Sequence, residues 1–219
     1  MGNIVTIRSY RPADRAAVRR LSCDTADHGE PVERFFHDRE AVANVLVRYY
    51  TDYEPQSLWI AEQEDVLAGY LTGCLDTKRC NRVMVTRVLP GTIIGAVARG
   101  ALWRAKTWRL CAALLETLLL GGFPHKVDLR EYPAHLHINV RQDFRGKQIG
   151  RQLIERFLAQ ADGAGVGGTH VVVLGHNERG RRFFETMGFH LLREQPLILP
   201  EARGFRRTCT AVYGRKKGD

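Results

Sequence analysis

Residues 134–189 decide the fold of this chain and read AHLHINVRQDFRGKQIGRQLIERFLAQADGAGVGGTHVVVLGHNERGRRFFETMGF. Their pattern predicts a strand, an arginine-glycine turn, an amphipathic helix, a second strand and a short helix. In order, these are His135–Val140, Arg145–Gly150, Ile149–Ala161, Thr169–Leu174 and Arg179–Met187. A turn of small residues before a helix presents unpaired backbone N–H groups at the positive end of the helix dipole. Such groups bind phosphate oxygens, so the stretch predicts a ligand that carries phosphate.

The composition is that of an ordinary globular protein. The 219 residues are 44% hydrophobic and 26% charged, which fits a single domain over residues 1–219. The cysteines are five, scattered and without a CxxC pair, so the sequence predicts neither a disulfide framework nor a metal site. Reduced thiols favour a cytoplasmic location, and the N-terminus lacks the apolar core of a signal peptide.

The net charge of +9 allows three kinds of partner: nucleic acid, an acidic membrane face or an anionic ligand. No pattern typical of sequence-specific nucleic-acid binding accompanies the basic residues. We therefore expect no sequence-specific nucleic-acid partner.

The rest of the chain supplies further elements of a mixed α/β fold. Helices are expected over Arg11–Ser22 and, as one helix or two, over Val32–Tyr50. Further strands are expected over Ile4–Arg8, Ser57–Ala61, Leu67–Leu75, His190–Arg193 and Thr208–Tyr213. We expect a twisted mixed sheet of about seven strands with helices on both faces.

Residues 77–133 are predicted to form a helical insertion within that domain. Its apolar run Leu110–Phe123 is too short for a membrane span and contains Glu116. Two readings remain open. A helical cover over the sheet is favoured, and the alternative is a surface that lies on a membrane or a partner, flanked by basic residues at Arg104, Lys106, Arg109 and Lys126.

Two motifs in residues 134–189 resemble the GNAT (Gcn5-related) N-acetyltransferase superfamily. The family pattern Arg/Gln-x-x-Gly-x-Gly/Ala after a strand is similar to Arg145-Gly-Lys-Gln-Ile-Gly150. The family pattern Asn-x-x-Ala-x-x-Phe-Tyr-x-x-x-Gly-Phe is similar to the stretch from Asn177 to Phe189. In addition, Tyr132–Val140 looks like a subgroup related to the acetyltransferase-like domain of O-GlcNAcases, which reads Pro-Ala-His-Leu-His-Ile-Asp there.

The resemblance implies that acetyl-CoA lies against the splayed ends of the strands His135–Val140 and Thr169–Leu174. Its pantetheine would pair with Val140 like an extra strand, and Asn177 would hydrogen-bond the pantetheine or thioester region. The cofactor-binding residues carried over from the family are Val140, Arg145, Gly146, Lys147, Gln148, Ile149, Gly150, Asn177 and Phe184. Asn177 also suits the N-cap of the following helix.

The chain departs from the family pattern at two positions. Gln148 replaces the middle glycine of the first motif, where a side chain either crowds the diphosphate or points away from it. Phe184 replaces the tyrosine that many members use to protonate the leaving thiolate. Because a thiol with a pKa near ~8.5 leaves without a strong acid, we expect this loss to be tolerated.

Acetyl transfer to an amine requires a group that removes a proton. A lysine-like amine with a pKa of ~10.4 is uncharged in only about 1 part in 2,500 at pH 7. His135, His137 and Asn139 alternate along one strand and therefore point to one face of the sheet. These three are the candidate catalytic residues. The two histidines are equally compatible with core residues whose hydrogen bonds are already made within the protein. Where the subgroup has aspartate, this chain has Asn139.

The function implied by the resemblance is transfer of an acetyl group from acetyl-CoA to a primary amine by direct attack. The acceptor stays unidentified, and the sequence leaves a homodimer open. One alternative is a catalytically weak or silent pseudo-acetyltransferase that binds CoA thioesters and acts as an interaction module. A second alternative is a nucleic-acid or membrane-surface protein that uses the basic charge.

Overall fold

The fold is built on one sheet of seven strands in the order β1-β2-β3-β4-β5-β7-β6. The computed structural model describes residues 5–25, 31–34, 36–201 and 204–219. All neighbouring strands are antiparallel except β4 and β5, which are parallel. The strands are β1 Thr6–Ser9, β2 Leu58–Gln63, β3 Val66–Cys74, β4 Ala134–Val140, β5 Gly168–Leu174, β6 His190–Pro200 and β7 Phe205–Lys216.

The predicted mixed α/β class and strand number are confirmed, and several element bounds differ. Ile4, predicted to begin β1, lies outside the described residues. The predicted helix over Val32–Tyr50 divides into a 3-10 turn at Val32–Arg34 and α2 at Arg39–Asp52. Helix α2 begins there because the Asp38 side chain accepts a hydrogen bond from the Ala41 backbone N–H.

Strand β6 is much longer than the predicted His190–Arg193. It is the last strand of the sheet, and an edge strand continues through residues that a central strand would not accept. Pro196 and Pro200 interrupt the sequence pattern, but an edge strand has one side without sheet partners and tolerates proline. That outer edge is covered by α5 (Ala105–Leu119). The Ile198 backbone N–H donates to Thr117 Oγ1 at 2.9 Å, which satisfies an edge donor of β6.

Helices lie on both faces of the sheet. On one face, α6 (Ile149–Gly163) buries Leu153, Ile154 and Phe157 against the strands. Phe157 packs so closely on Gly73 that a Cβ there would lie 2.1 Å from the phenyl ring. On the other face, α1 (Arg15–Asp24) and α2 pack against Tyr70 of β3.

Residues 77–133 contain several helical elements in succession. They are α3 Thr77–Val83, a π turn at Met84–Val88, α4 Leu89–Ala98, a 3-10 turn at Ala101–Trp103, and α5. The loop after α5 is held by the Gln195 side chain, whose Oε1 accepts from the Lys126 N–H at 3.0 Å. In the described part of the chain, no helix has both the length and the apolar character needed to cross a membrane.

The remaining helix, α7, covers Glu178–Thr186 and follows β5 directly. Phe184 from α7 and Phe189, three residues after its end, pack edge to face with ring centroids 5.5 Å apart. Both rings are buried in the core that α6 forms with the sheet. The chain from β4 to α7 is therefore one continuous packed unit at the centre of the sheet.

Candidate active site

A gap opens between β4 and β5 in the middle of the sheet. The two strands pair only at Ala134–Thr169 and His135–His170. Beyond these pairs, β4 continues along β3 and β5 continues along β7, without register between them. The predicted splay of the two strands is therefore present in the structure.

Backbone groups of β4 line this gap. The Arg141 N–H donates to the Ala68 carbonyl at 2.9 Å, which directs odd-numbered backbone groups of this strand toward β3. Because backbone groups alternate along a strand, those of Ile138 and Val140, beyond the residues paired with β5, point toward the gap. Unpaired strand groups of this kind bind an extended ligand by strand addition. Val140, one of the predicted cofactor-binding residues, lies at the open end of this row.

The turn before α6 begins at the end of β4 and exposes its backbone. A 3-10 turn at Gln142–Phe144 is followed by Gly146, with φ of 85°, and Gln148, with φ of 59°. No hydrogen bond occupies the backbone N–H groups of Gly146, Lys147 or Gln148 in the described residues. The first intrahelical hydrogen bond joins Gln152 N–H to the Gln148 carbonyl, so the N–H groups of Ile149, Gly150 and Arg151 are also free.

Basic side chains flank these N–H groups. Arg145 and Lys147 are exposed, and Arg145 Nε lies 3.4 Å from the Val140 carbonyl oxygen at the mouth of the gap. The Lys147 ammonium lies 4.9 Å from the centre of the Phe144 ring. The turn thus presents free N–H donors, a helix N-terminus and positive charge to the same space, which is the chemistry that binds a diphosphate.

Gln148 occupies a left-handed conformation, which explains why glycine suits this position. Its side chain is exposed and makes no capping hydrogen bond to α6. Gly150 is restricted differently, since a Cβ there would lie 3.1 Å from Phe183 Cζ. Position 148 therefore favours glycine because of its backbone conformation, and position 150 favours glycine because a side chain there would press on Phe183.

Asn177 caps α7, as the sequence suggested. Its Oδ1 accepts from the Gly180 N–H at 2.9 Å. The Nδ2 group of the same amide has no hydrogen-bond acceptor among the described residues, so it remains available to a ligand. Phe184 is a buried core residue whose ring packs without a polar group, and its part in cofactor binding stays a prediction.

His135 is held on both ring nitrogens. Nε2 lies 2.8 Å from Tyr50 Oη, and Nδ1 lies 2.7 Å from Thr77 Oγ1. Burial, together with the nearby His170 and His137, lowers the pKa of His135 to about 3. His135 is therefore neutral and engaged, which favours the reading of a satisfied structural histidine.

His137 is in a different environment, although it lies two residues further along the same face of β4. It is exposed to solvent, and its Nε2 lies 3.5 Å from Asn139 Nδ2, the one side-chain partner it has among the described residues. The surrounding protein desolvates the ring and lowers the pKa of His137 below the ordinary value. A neutral, accessible imidazole is suited to accept a proton from a substrate.

Asn139 is oriented by Tyr70, which the sequence did not single out. Asn139 Nδ2 donates to Tyr70 Oη at 2.7 Å, and the two residues are direct partners in the β3–β4 register. Tyr70 is fully buried, and burial raises the pKa of its phenol. Sequence patterns do not indicate Tyr50, Thr77 or Tyr70 as site residues, because only strand register and helix packing bring them beside β4.

One further cluster borders His135. Cys74 and Cys80 are buried, and one ligand atom from each of these thiols and from His135 lies within 4.8 Å of the other two. Both ring nitrogens of His135 are already hydrogen-bonded, so a metal ion would have to displace Tyr50 or Thr77. The hydrogen bonds favour the hydroxyl partners over an ion.

We expect Gln148→Gly to stabilise the protein, because it removes a side chain from a left-handed backbone position. The expected gain is about 1 kcal/mol, which corresponds to roughly 2–4 °C in melting temperature for a chain of this size. The matched control is Gln152→Gly, an exposed position inside α6, which should lose about 1 kcal/mol. A Gln148→Gly protein that melts as low as the control would contradict the left-handed assignment.

We expect the His135 ring to remain unprotonated as the pH falls from 8 to 5, measured by imidazole NMR resonances. The unfolded chain binds a proton at this histidine below pH ~6.5, whereas the folded chain does not until about pH 3. The stability contributed by neutral His135 is therefore complete above pH ~6.5 and is lost as the pH falls. Between pH 6.5 and 5, the wild type should lose roughly 1.5–2 kcal/mol more than His135→Gln in urea unfolding. Equal pH slopes for the two proteins would refute this assignment.

Three comparisons with solved structures agree on the fold. The chain is similar to the protein called SsHAT at 24% identity, with 98% of this chain and 99% of that chain covered and a TM-score of 0.70. It is also similar to a ribosomal-protein-alanine N-acetyltransferase from Brucella melitensis (15% identity, 96% and 99% covered, TM-score 0.57). A GNAT superfamily phosphinothricin acetyltransferase from Sinorhizobium meliloti, solved in complex with acetyl-CoA, matches at 15% identity (97% and 88% covered, TM-score 0.56).

A family model adds sequence evidence to the shared architecture. Residues 106–191 match the acetyltransferase (GNAT) domain, a span that contains β4, the turn, α6, β5 and α7. These are the elements that form the gap and the turn with the free N–H groups. The narrower likeness to the O-GlcNAcase subgroup stays a prediction. Over residues 106–191, the chain is similar in sequence to the acetyltransferase (GNAT) domain.

Proposed function

We propose that this protein transfers an acetyl group from acetyl-CoA to a primary amine by direct attack. The observation that carries the proposal is the gap between β4 and β5 with the free N–H groups of the α6 turn at its end. The complex of the Sinorhizobium meliloti enzyme with acetyl-CoA supports the choice of cofactor.

In this proposal, the diphosphate binds the N–H groups from Gly146 to Gly150, with Arg145 and Lys147 adding attraction that salt partly screens. The pantetheine arm extends along β4 as an added strand and pairs with the backbone groups that face the gap. Asn177 donates its free amide N–H to the pantetheine or thioester region. The Gln148 side chain is exposed and makes no capping hydrogen bond to α6, so it is free to turn away from the diphosphate.

The reaction then requires an uncharged amine beside the thioester carbon. His137 accepts the ammonium proton, and the amine nitrogen attacks the acetyl carbonyl to form a tetrahedral intermediate. A backbone N–H near Val140 stabilises the oxyanion. The nitrogen of the intermediate loses its extra proton to solvent, the C–S bond breaks, and CoA leaves as a thiolate that takes a proton from solvent. No acid is needed at Phe184, because a thiol pKa near ~8.5 allows the thiolate to leave.

A second candidate is a CoA-binding protein that does not turn over. It is favoured by one observation, that the position used by the family's tyrosine acid is a phenyl ring buried in the core. This candidate shares the cofactor site and lacks the acceptor reaction. Acetyl-CoA binding without release of CoA in the presence of amines would select it.

The first test is the melting temperature with and without acetyl-CoA. At about 100 times the dissociation constant, acetyl-CoA should add about 2.7 kcal/mol, a shift of several degrees. Arg145→Glu combined with Lys147→Glu places negative charge at the diphosphate and should reduce the shift strongly. The control is Arg156→Glu, an exposed charge reversal further along α6. Absence of a shift in the wild type would remove the proposed cofactor.

The second test is the pH dependence of CoA release with a panel of primary amines. A general base acts only when it is unprotonated, so kcat/KM should fall as His137 becomes protonated. Because the pKa of His137 is lowered, this fall in the pH profile of kcat/KM should appear below pH ~6.5. His137→Ala should lose this fall and reduce kcat/KM by about a hundredfold or more. His135→Ala serves as the comparison, and an unchanged profile in His137→Ala would assign the base elsewhere.

A further inference from the structure

The segment from α3 to the first half of α5 has an unusual charge distribution. Residues 77–115 contain eight lysines and arginines and no aspartate or glutamate. Much of the excess positive charge of the chain therefore lies in one insertion. In the described residues, five of these cations are exposed without a carboxylate partner: Lys78, Arg79, Arg82, Arg87 and Arg104.

Helix α5 is apolar on both its packed and its outward side. The packed side carries Ala113 and Thr117, which are buried. The opposite side carries an exposed stripe at helical spacing, made of Trp108, Cys111, Leu115 and Leu119. Leu119 is 78% exposed. A helix that only covered β6 would place polar residues on this outward side.

Helix α4 repeats the same arrangement. Its sequence LPGTIIGAVA contains no charged residue, although only Thr92 and Ala96 are buried within it. Three large apolar side chains point outward: Ile93, Ile94 and Val97. Ile94 is 70% exposed, which is costly in water unless another surface covers it.

Two tryptophans connect these helices. Trp103, in the 3-10 turn between them, is 90% exposed, and Trp108 is also exposed. The Trp108 indole N–H donates to the Leu102 carbonyl at 2.9 Å, which holds the Trp108 ring beside the 3-10 turn that contains Trp103. We define the α4–α5 face as the exposed set Ile93, Ile94, Val97, Trp103, Trp108, Leu115 and Leu119.

We propose that the α4–α5 face binds the surface of a membrane that contains anionic lipids. The exposed apolar side chains enter the boundary between headgroups and acyl chains, and the tryptophans lie at headgroup level. The unpaired lysines and arginines of the same segment reach anionic headgroups with their long side chains. Since none of the described helices is able to span a bilayer, the segment lies in the plane of the interface.

Charge favours this occupant over a second copy of the chain. A symmetric dimer through this face would bring the unpaired cations of two copies together, and residues 77–115 contain no acidic residue to offset them. An anionic lipid surface supplies the opposite charge over the whole segment. The apolar face and the cations are then both satisfied by one partner.

The test is co-sedimentation with vesicles of phosphatidylcholine mixed with phosphatidylglycerol, compared with vesicles of phosphatidylcholine alone. We expect binding to the mixed vesicles only, weakened as salt shortens the screening length from ~10 Å at 0.1 M to ~3 Å at 1 M. Arg79→Ala should weaken binding about fivefold. Arg182→Ala, an exposed cation on α7, should leave binding unchanged.

The apolar contribution is tested with Trp103→Glu and Ile94→Glu, each expected to weaken binding by about tenfold or more. Val66→Glu, the same kind of change at an exposed site at the start of β3, is the matched control. Melting temperatures check that the variants fold. Quenching of wild-type tryptophan fluorescence by brominated lipid in the mixed vesicles tests insertion without any variant, and quenching is expected.

Three results would overturn the proposal. The first is failure of the wild type to sediment with mixed vesicles, and the second is equal loss of binding in Val66→Glu and Trp103→Glu. The third is a wild-type dimer in solution, by light scattering, that Trp103→Glu dissociates while neither protein binds vesicles. That third result would assign the α4–α5 face to a second copy of the chain.

Discussion

The architecture depends on the early end of pairing between the parallel strands β4 and β5. Two residue pairs hold the strands together, and beyond His135 and His170 each strand keeps only its outer neighbour. Backbone groups left without partners inside a protein are unfavourable, so such a gap persists only where water or a ligand satisfies them. Because α6 begins at the open end of the gap, its free N–H groups face the same space.

The two faces of the sheet differ at β4: one face packs the apolar core, and the other carries polar side chains. On the α6 face, Leu136 and Ile138 of β4 pack with Phe157 and its neighbours in a close apolar core. On the opposite face, His135 and Asn139 meet hydroxyl groups from α2, α3 and β3, and His137 lies between them on the strand. One strand with a period of two thus supplies a core on one side and polar chemistry on the other.

The environment separates two histidines of the same strand into different chemical states. Tyr50 and Thr77 occupy both nitrogens of His135, whereas His137 opens to solvent beside Asn139. Both rings are neutral at physiological pH because the surrounding protein lowers the pKa of each. The insertion contributes to this difference through Thr77, and its outer surface carries the exposed apolar and basic residues of the α4–α5 face.

The sequence alone determined the class of fold, the strand-turn-helix unit and the family resemblance, because these depend on local periodicity and on motifs within residues 134–189. It also predicted the strands β2 and β3, which are joined by a turn with Glu64 and Asp65 at positive φ. Only the tertiary structure separated His135 from His137, since Tyr50 and Thr77 lie 85 and 58 residues away in the chain. It alone also showed which apolar residues of α4 and α5 are packed and which are exposed. Burial depends on contacts with distant elements, and a helical pattern that is apolar all round does not reveal them.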